Sequence, residues 1–165
     1  MINLIWAEAA NGVIGQNGRM PWHSHEDMVH FRQLTTGHPV LMGWKTFKSL
    51  GSKPLPKRDN LVLTHRTSLP AGVTPVSLED VQRLTTQLGK DLFVIGGASV
   101  YRQLLPFATS LFRTVIEGTY PGETKMPPIN YDQWRLVDSK TEVARSSDEP
   151  NCTFQLWQRS NKEQH

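Results

Sequence analysis

The chain has 165 residues, a formal net charge of +3 and one cysteine, Cys152. This length is typical of one domain with a full hydrophobic core, which we expect to span residues 1–165 with a frayed tail at 158–165. The basic residues are scattered, which argues against a nucleic-acid-binding surface, and no apolar run is long enough to span a bilayer. A single cysteine leaves no internal disulfide and fits a reducing compartment, so we expect a cytoplasmic protein.

Six apolar segments predict β-strands, and helical patterns lie between them. The strands are predicted at residues 2–7, 39–42, 60–63, 92–95, 111–116 and 152–158. Helices are predicted at residues 25–35, just after Gly43, from the Ser77–Asp80 capping box to Gly89, and at residues 98–105. This alternation predicts a single α/β domain with a mostly parallel central sheet and flanking helices. Because no clear helix precedes the last strand, we expect it to join the sheet edge antiparallel to its neighbour.

Asp27 stands at the start of the first predicted helix, and local patterns allow two interpretations of it. With Ser24 as N-cap, Asp27 occupies the third helical position of a capping box, which would explain the residue without any further role. Phe31 lies one helical turn later, so ring and carboxylate share a face that Met28 and Leu34 turn toward the core. A carboxylate there is costly unless something donates hydrogen bonds to it. A bound ligand could be that donor.

A spaced set of residues around Asp27 resembles the signature of dihydrofolate reductase. The set comprises Val13-Ile14-Gly15, Met20-Pro21-Trp22, Asp27, Phe31 and Thr35, and the resemblance continues along almost the whole chain. It implies NADPH-dependent reduction of 7,8-dihydrofolate to tetrahydrofolate in one-carbon metabolism, with hydride transfer to pterin C6 and protonation of N5 from water. The residues that it makes catalytic are Asp27, Trp22, Thr114 and Met20. It also implies that residues 10–21 form a mobile loop over the nicotinamide.

The resemblance also assigns a substrate pocket. Its residues are Ile5, Trp6, Ala7, Asp27, Met28, Phe31, Leu50, Leu55, Arg58, Ile95 and Thr114. Asp27 would accept hydrogen bonds from N3 and the 2-amino group of the pterin. Arg58, in the run Pro54-Leu55-Pro56-Lys57-Arg58, matches an arginine that pairs with the α-carboxylate of the substrate's glutamate. Taken alone, an arginine in a loop is more often a solvated charge.

The chain contains neither a Gly-x-Gly-x-x-Gly pattern nor a P-loop lysine, so other helix N-termini must bind the cofactor phosphates. The resemblance assigns NADPH to Ala7, Ile14, Gly15, Gly43, Trp44, Lys45, Thr46, Leu63, Thr64, His65, Arg66, Ile95, Gly96, Gly97, Ala98, Ser99, Val100, Tyr101 and Gln103. It also implies a cis peptide bond between Gly96 and Gly97. Position 44 departs from the family, because an arginine is usual there and reaches the 2′-phosphate of NADPH. We therefore expect NADPH with weaker discrimination against NADH, its phosphate met by residues 64–66.

The chain departs from the family pattern at two further places. Ser24-His25 replaces the usual Leu-Pro before the first helix, which therefore lacks proline at its first position. Glu123 replaces the aspartate of a Gly-Asp-Thr that props the mobile loop, within the unusually long connection at residues 117–133. The six histidines show no metal-ligand spacing, so we expect no metal site.

Two other functions remain open: a same-fold reductase of a ribosylated pyrimidine in riboflavin synthesis, and a non-catalytic basic module that binds RNA. The pyrimidine reductase should lack the set of Trp22, Asp27 and Phe31. The expected partners are dihydrofolate and antifolate inhibitors, bound by a monomer.

Overall fold

The computed structural model describes residues 1–15 and 20–160, in which strands and helices alternate along most of the chain. The strands are β1 (Ile2–Ala9), β2 (Val13–Gly15), β3 (Val40–Gly43), β4 (Asn60–Leu63), β5 (Val73–Val76), β6 (Leu92–Gly96), β7 (Ser110–Ile116), β8 (Thr124–Lys125), β9 (Trp134–Glu142) and β10 (Cys152–Arg159). The helices are α1 (His25–Thr35), α2 (Trp44–Ser49), α3 (Leu78–Gln82) and α4 (Ala98–Leu104). Residues 16–19 of the expected mobile loop, and residues 161–165 of the expected tail, lie outside this description.

Eight strands form one sheet in the order β5-β4-β3-β6-β1-β7-β10-β9. The six strands from β5 to β7 in that order are parallel, while β10 runs antiparallel to β7 and β9 antiparallel to β10. The predicted α/β class, the mostly parallel sheet and the antiparallel C-terminal strand are confirmed. Parallel strands present their carboxyl ends at a common edge, and the loops at that edge build the cavity described below.

Two strands of the sheet were absent from the prediction. β9 forms the outer edge beyond β10, and most of its side chains are exposed, so it carries no apolar alternation. β5 forms the opposite edge and contains Pro75, which weakens a strand pattern but is tolerated at an edge. The predicted tail also begins too early, because Gln158 and Arg159 still pair with β9.

Helices pack on both faces of the sheet. One core cluster joins Val81 of α3 and Leu104 of α4 to Leu4, whereas a second joins Phe47 of α2 to Ile5, with Phe31 of α1 packed against it. Leu4 and Ile5 belong to different clusters because successive strand side chains point to opposite faces. None of the helices in the described part of the chain is long and apolar enough to cross a membrane.

The predicted capping box of α3 is confirmed, since Ser77 and Asp80 exchange side-chain-to-backbone hydrogen bonds of 3.1 and 2.9 Å. The helical turns continue from α3 as a π-helix over Arg83–Gln87. They end at Gly89, whose φ of +64° suits a glycine at a helix terminus.

Candidate active site

A cavity of about 590 Å³ opens at the carboxyl ends of β1 and β6, between α1, α2 and the start of α4. Most of the residues assigned to substrate and cofactor line it. These are Ile5, Trp6, Ala7, Ile14, Met20, Asp27, Met28, Phe31, Thr46, Leu50, Leu55, Arg58, Ile95, Gly96, Gly97, Ala98 and Tyr101. The wall is largely apolar, with the Asp27 carboxylate on α1 and two guanidiniums, those of Arg32 on α1 and Arg58 in the loop before β4.

Asp27 is the acid on that wall, and its surroundings favour the neutral form. Burial raises the pKa of its carboxyl to about 6, although the Thr114 side chain, itself buried, lowers the pKa in part. Only half of the expected capping box forms. The Ser24 hydroxyl accepts the Asp27 N–H at 3.1 Å, but no Asp27 carboxylate bond to the Ser24 N–H occurs in the described residues. The carboxylate is therefore available to a ligand.

The elevated pKa of Asp27 predicts a stability change in Asp27→Asn. Well below pH 3.8 the carboxyl is protonated in both the folded and the unfolded chain, and it contributes nothing to the pH dependence of stability. As the pH rises through the window from 3.8 to about 6, the folded state retains a proton that the unfolded state releases, so the free energy of unfolding falls. We expect Asp27→Asn to raise that free energy by about 3 kcal/mol at neutral pH and not at acidic pH.

Urea unfolding of both chains across this pH range measures the difference. Asp80→Asn is the matched control, because its capping box lowers the pKa of Asp80 and predicts the opposite sign. If Asp27→Asn and the wild type have the same free energy of unfolding at neutral pH, burial does not raise the pKa of Asp27 as stated.

Tyr101 connects the cavity floor to the sheet. Its buried hydroxyl donates to the carbonyl oxygen of Ile5 at 2.8 Å, and its ring packs against Trp6 with centroids 6.2 Å apart. The Trp6 indole N–H in turn donates to Glu8 at 3.0 Å, and Glu8 also accepts from Arg113 at 2.8 Å. The polar edges of these rings are thus satisfied within the protein.

Arg58 is positioned by a loop that is braced from within. Its Nη1 donates to the Thr35 hydroxyl and its Nε to the Pro56 carbonyl, each at 2.9 Å. Asn60 closes the loop by donating to the carbonyls of Leu55 and Arg58 at 2.9 Å. Burial and the nearby Arg32 both lower the pKa of Arg58, and an anionic ligand group would relieve that repulsion.

The glycine pair at the end of β6 lies close against α2. A Cβ at Gly96 would stand 3.3 Å from the Thr46 hydroxyl, and one at Gly97 would stand 3.4 Å from it. The peptide bond between these glycines is cis, as the family resemblance implied. Gly97 and Gly43 cap α4 and α2 without a side-chain hydrogen bond, which leaves backbone N–H groups free near the cavity.

The remaining predicted residues lie outside the cavity wall. Trp44 and Arg66 stack on each other at the ends of β3 and β4, with the guanidinium 4.3 Å from the ring centroid. Val100 is buried in the core, while Gln103 bonds to Ser99 on α4. The others outside the wall are Trp22, Thr114, Gly43, Lys45, Leu63, Thr64 and His65.

Three residues that line the cavity were not among the predicted site residues: Arg32, Ser49 and Thr124. Arg32 and Ser49 lie on α1 and α2, which carry predicted site residues, but a sequence motif does not predict that their side chains point into the cavity. Thr124 belongs to β8, which pairs with β2 through Gly15. The connection at residues 117–133 therefore holds β2 in place beside the cavity. In the sequence, Thr124 was indicated by the resemblance of residues 122–124 to the Gly-Asp-Thr that supports the mobile loop in the family.

A family model described as dihydrofolate reductase matches residues 1–159. The dihydrofolate reductase of Bacillus subtilis is 36% identical over 163 residues, covering 98% of this chain and 96% of the relative. That of Haemophilus influenzae is 37% identical over 158 residues, covering 95% of this chain and 98% of the relative. Dihydrofolate reductase from Enterococcus faecalis, complexed with NADP(H) and RAB-propyl, superimposes with a TM-score of 0.91 at 30% identity, covering 98% of this chain and 97% of that one.

Proposed function

The chain belongs to the dihydrofolate reductase family of NADPH-dependent oxidoreductases, and on that premise we propose how its cavity reduces 7,8-dihydrofolate to tetrahydrofolate. The observation that carries the proposal is the Asp27 carboxyl, desolvated in an apolar cavity. A flat heterocycle with adjacent N–H donors satisfies such a carboxylate. The apolar walls accommodate its faces.

The reduction converts a C=N bond of the pterin into a C–N single bond, adding a hydride to C6 and a proton to N5. NADPH, when bound, supplies the hydride. Asp27 accepts hydrogen bonds from N3 and the 2-amino group, and its charge favours protonation at N5. The buried Trp22 indole N–H has no acceptor among the described residues, which supports assigning Trp22 to hold the water that delivers the proton.

The residues that fit NADPH lie at the end of β6 and at the starts of α2 and α4. Gly96 and Gly97 allow a ligand to approach the backbone, since a Cβ there would crowd Thr46. Thr46 and Ala98 line the same wall, beside the uncapped starts of α2 and α4. Hydroxyl and backbone N–H donors of this kind suit a pyrophosphate.

We assign the 2′-phosphate of NADPH to Arg66. Its guanidinium lies over the ring of Trp44, the position at which the family usually has an arginine. Arg66→Gln removes the charge, so we expect it to weaken NADPH binding about tenfold and leave NADH binding unchanged. Equilibrium binding of both dinucleotides by fluorescence quenching measures this. Arg102→Gln, in the last turn of α4, is the matched control. Equal weakening of NADPH and NADH binding would show that Arg66 does not distinguish them.

The activity is tested by following NADPH oxidation with and without dihydrofolate, and with the ribosylated pyrimidine of riboflavin synthesis in its place. We expect turnover of dihydrofolate alone, together with tight binding of methotrexate, which needs an acid in an apolar slot. Turnover of the pyrimidine without turnover of dihydrofolate would overturn the proposal. We also propose a monomer, which size-exclusion chromatography would check.

A further inference from the structure

The helix that carries Asp27 begins with a backbone donor that the usual proline would not provide. His25 occupies the first position of α1, and proline there has no N–H and needs no acceptor. In this chain the His25 N–H is present and donates to the Glu149 carboxylate at 2.8 Å. The replacement of proline thus brings a distant acid into contact with the start of the helix.

Glu149 is held in place on its own side of this bond. Its second carboxylate oxygen lies 3.1 Å from the Arg145 guanidinium, and only 9% of its side chain is exposed. Its N–H donates to the Ser146 carbonyl, which closes a turn in the loop between β9 and β10. An acceptor restrained in this way fixes its donor more firmly than a free side chain would.

The hairpin contacts the same helix start at a second point. Cys152, the first residue of β10, lies with its Sγ 3.2 Å from the Ser24 hydroxyl, which also accepts the Asp27 N–H. Both contacts join residues more than a hundred positions apart in the sequence. The β9–β10 hairpin therefore anchors the turn of α1 from which the Asp27 carboxylate projects.

We propose that Glu149 is a positioning residue for the reduction: by accepting the His25 N–H it fixes the first turn of α1 and so the place of Asp27 in the cavity. This inference rests on the proposed role of Asp27. Loss of the acceptor leaves the first turn free to shift, and small displacements of a reacting group lower turnover. Glu149 acts through the helix, since it does not line the cavity.

A double-mutant cycle with His25→Pro isolates the bond. Ser24 has φ −137° and ψ 113°, which suits a residue before proline, and proline is favoured at the first helical position. His25→Pro therefore removes the donor while preserving the helix start. It should retain turnover within about twofold of wild type.

In the otherwise native enzyme, we expect Glu149→Ala to lower kcat about fivefold, with the KM for NADPH unchanged. Glu149→Gln keeps an oxygen acceptor and should recover most of that loss. In the His25→Pro background, Glu149→Ala should cause no further loss, because the bond is already absent. Glu79→Ala, which removes an exposed acid on α3, is the matched control and should resemble wild type.

Wild-type kcat in Glu149→Ala would overturn the inference, as would equal losses in both backgrounds. If Glu149→Ala folds only in the His25→Pro background, that rescue supports the inference, whereas failure to fold in both backgrounds overturns it. Failure of the proposed function appears separately, as full activity of Asp27→Asn.

Discussion

Asp27→Asn is expected to lower the turnover of dihydrofolate by about a hundredfold to a thousandfold at neutral pH. The amide has nearly the same shape, but it carries no charge to favour protonation at N5 and cannot accept from two adjacent donors as a carboxylate does. The loss should shrink at acidic pH, where dihydrofolate takes its proton from solution. Steady-state NADPH oxidation across the pH range measures both effects.

The same Asp80→Asn change serves as the control for helix capping. Asp80 holds the corresponding position of α3, where both halves of the capping box form. Asp80→Asn should cost stability without reducing kcat. If Asp27→Asn behaves in the same way and keeps full activity at neutral pH, Asp27 is a capping residue and the assigned role is wrong.

Arg58→Leu is expected to raise the KM for dihydrofolate about fiftyfold while changing kcat little. The guanidinium is already held by Thr35 and Pro56, so its remaining donors can pair with a carboxylate with little loss of side-chain entropy. The affected interaction lies at the glutamate tail, away from the atoms that react. Steady-state kinetics with varied dihydrofolate measures the two constants.

Dihydropteroate, which lacks the glutamate, separates this role from damage to the cavity. Arg58→Leu should leave the KM of that substrate unchanged, and Arg135→Leu on the exposed β9 should change neither substrate's KM. An equal rise in KM for both substrates would place the effect of Arg58 elsewhere than at the tail.

The parallel sheet was predictable because its central strands are buried on both faces. β4 appears at residues 60–63 as predicted, since its apolar run is continuous and bounded by polar residues. β9 was not predictable from periodicity, because its side chains lie mostly in solvent and it is defined by pairing with β10. Strand formation there depends on pairing with β10 across the hairpin, as between Glu142 and Cys152 ten residues later, so the local sequence pattern carries no signal.

The candidate site shows the same division. The sequence allows Asp27 to be either part of a capping box with Ser24 or the group that binds a ligand, and it does not distinguish these two roles. The half-formed box and the raised pKa favour the anchor. The contact of Glu149 with His25 was also beyond the sequence, because it depends on how a distant hairpin packs against α1. From the sequence, the presence of histidine instead of proline at position 25 predicted only that a backbone N–H would be present there.

The pH dependence of kcat for dihydrofolate-dependent NADPH oxidation by the wild-type chain tests the role of Asp27 in N5 protonation. Burial raises the pKa of Asp27 to about 6, so the carboxylate is charged above this value, where it favours protonation of N5 by a proton that comes from water. The proposed role of Asp27 predicts oxidation that requires dihydrofolate and a kcat that falls as the pH rises above this value. Absence of dihydrofolate-dependent oxidation, or a kcat that stays constant through that range, would contradict it.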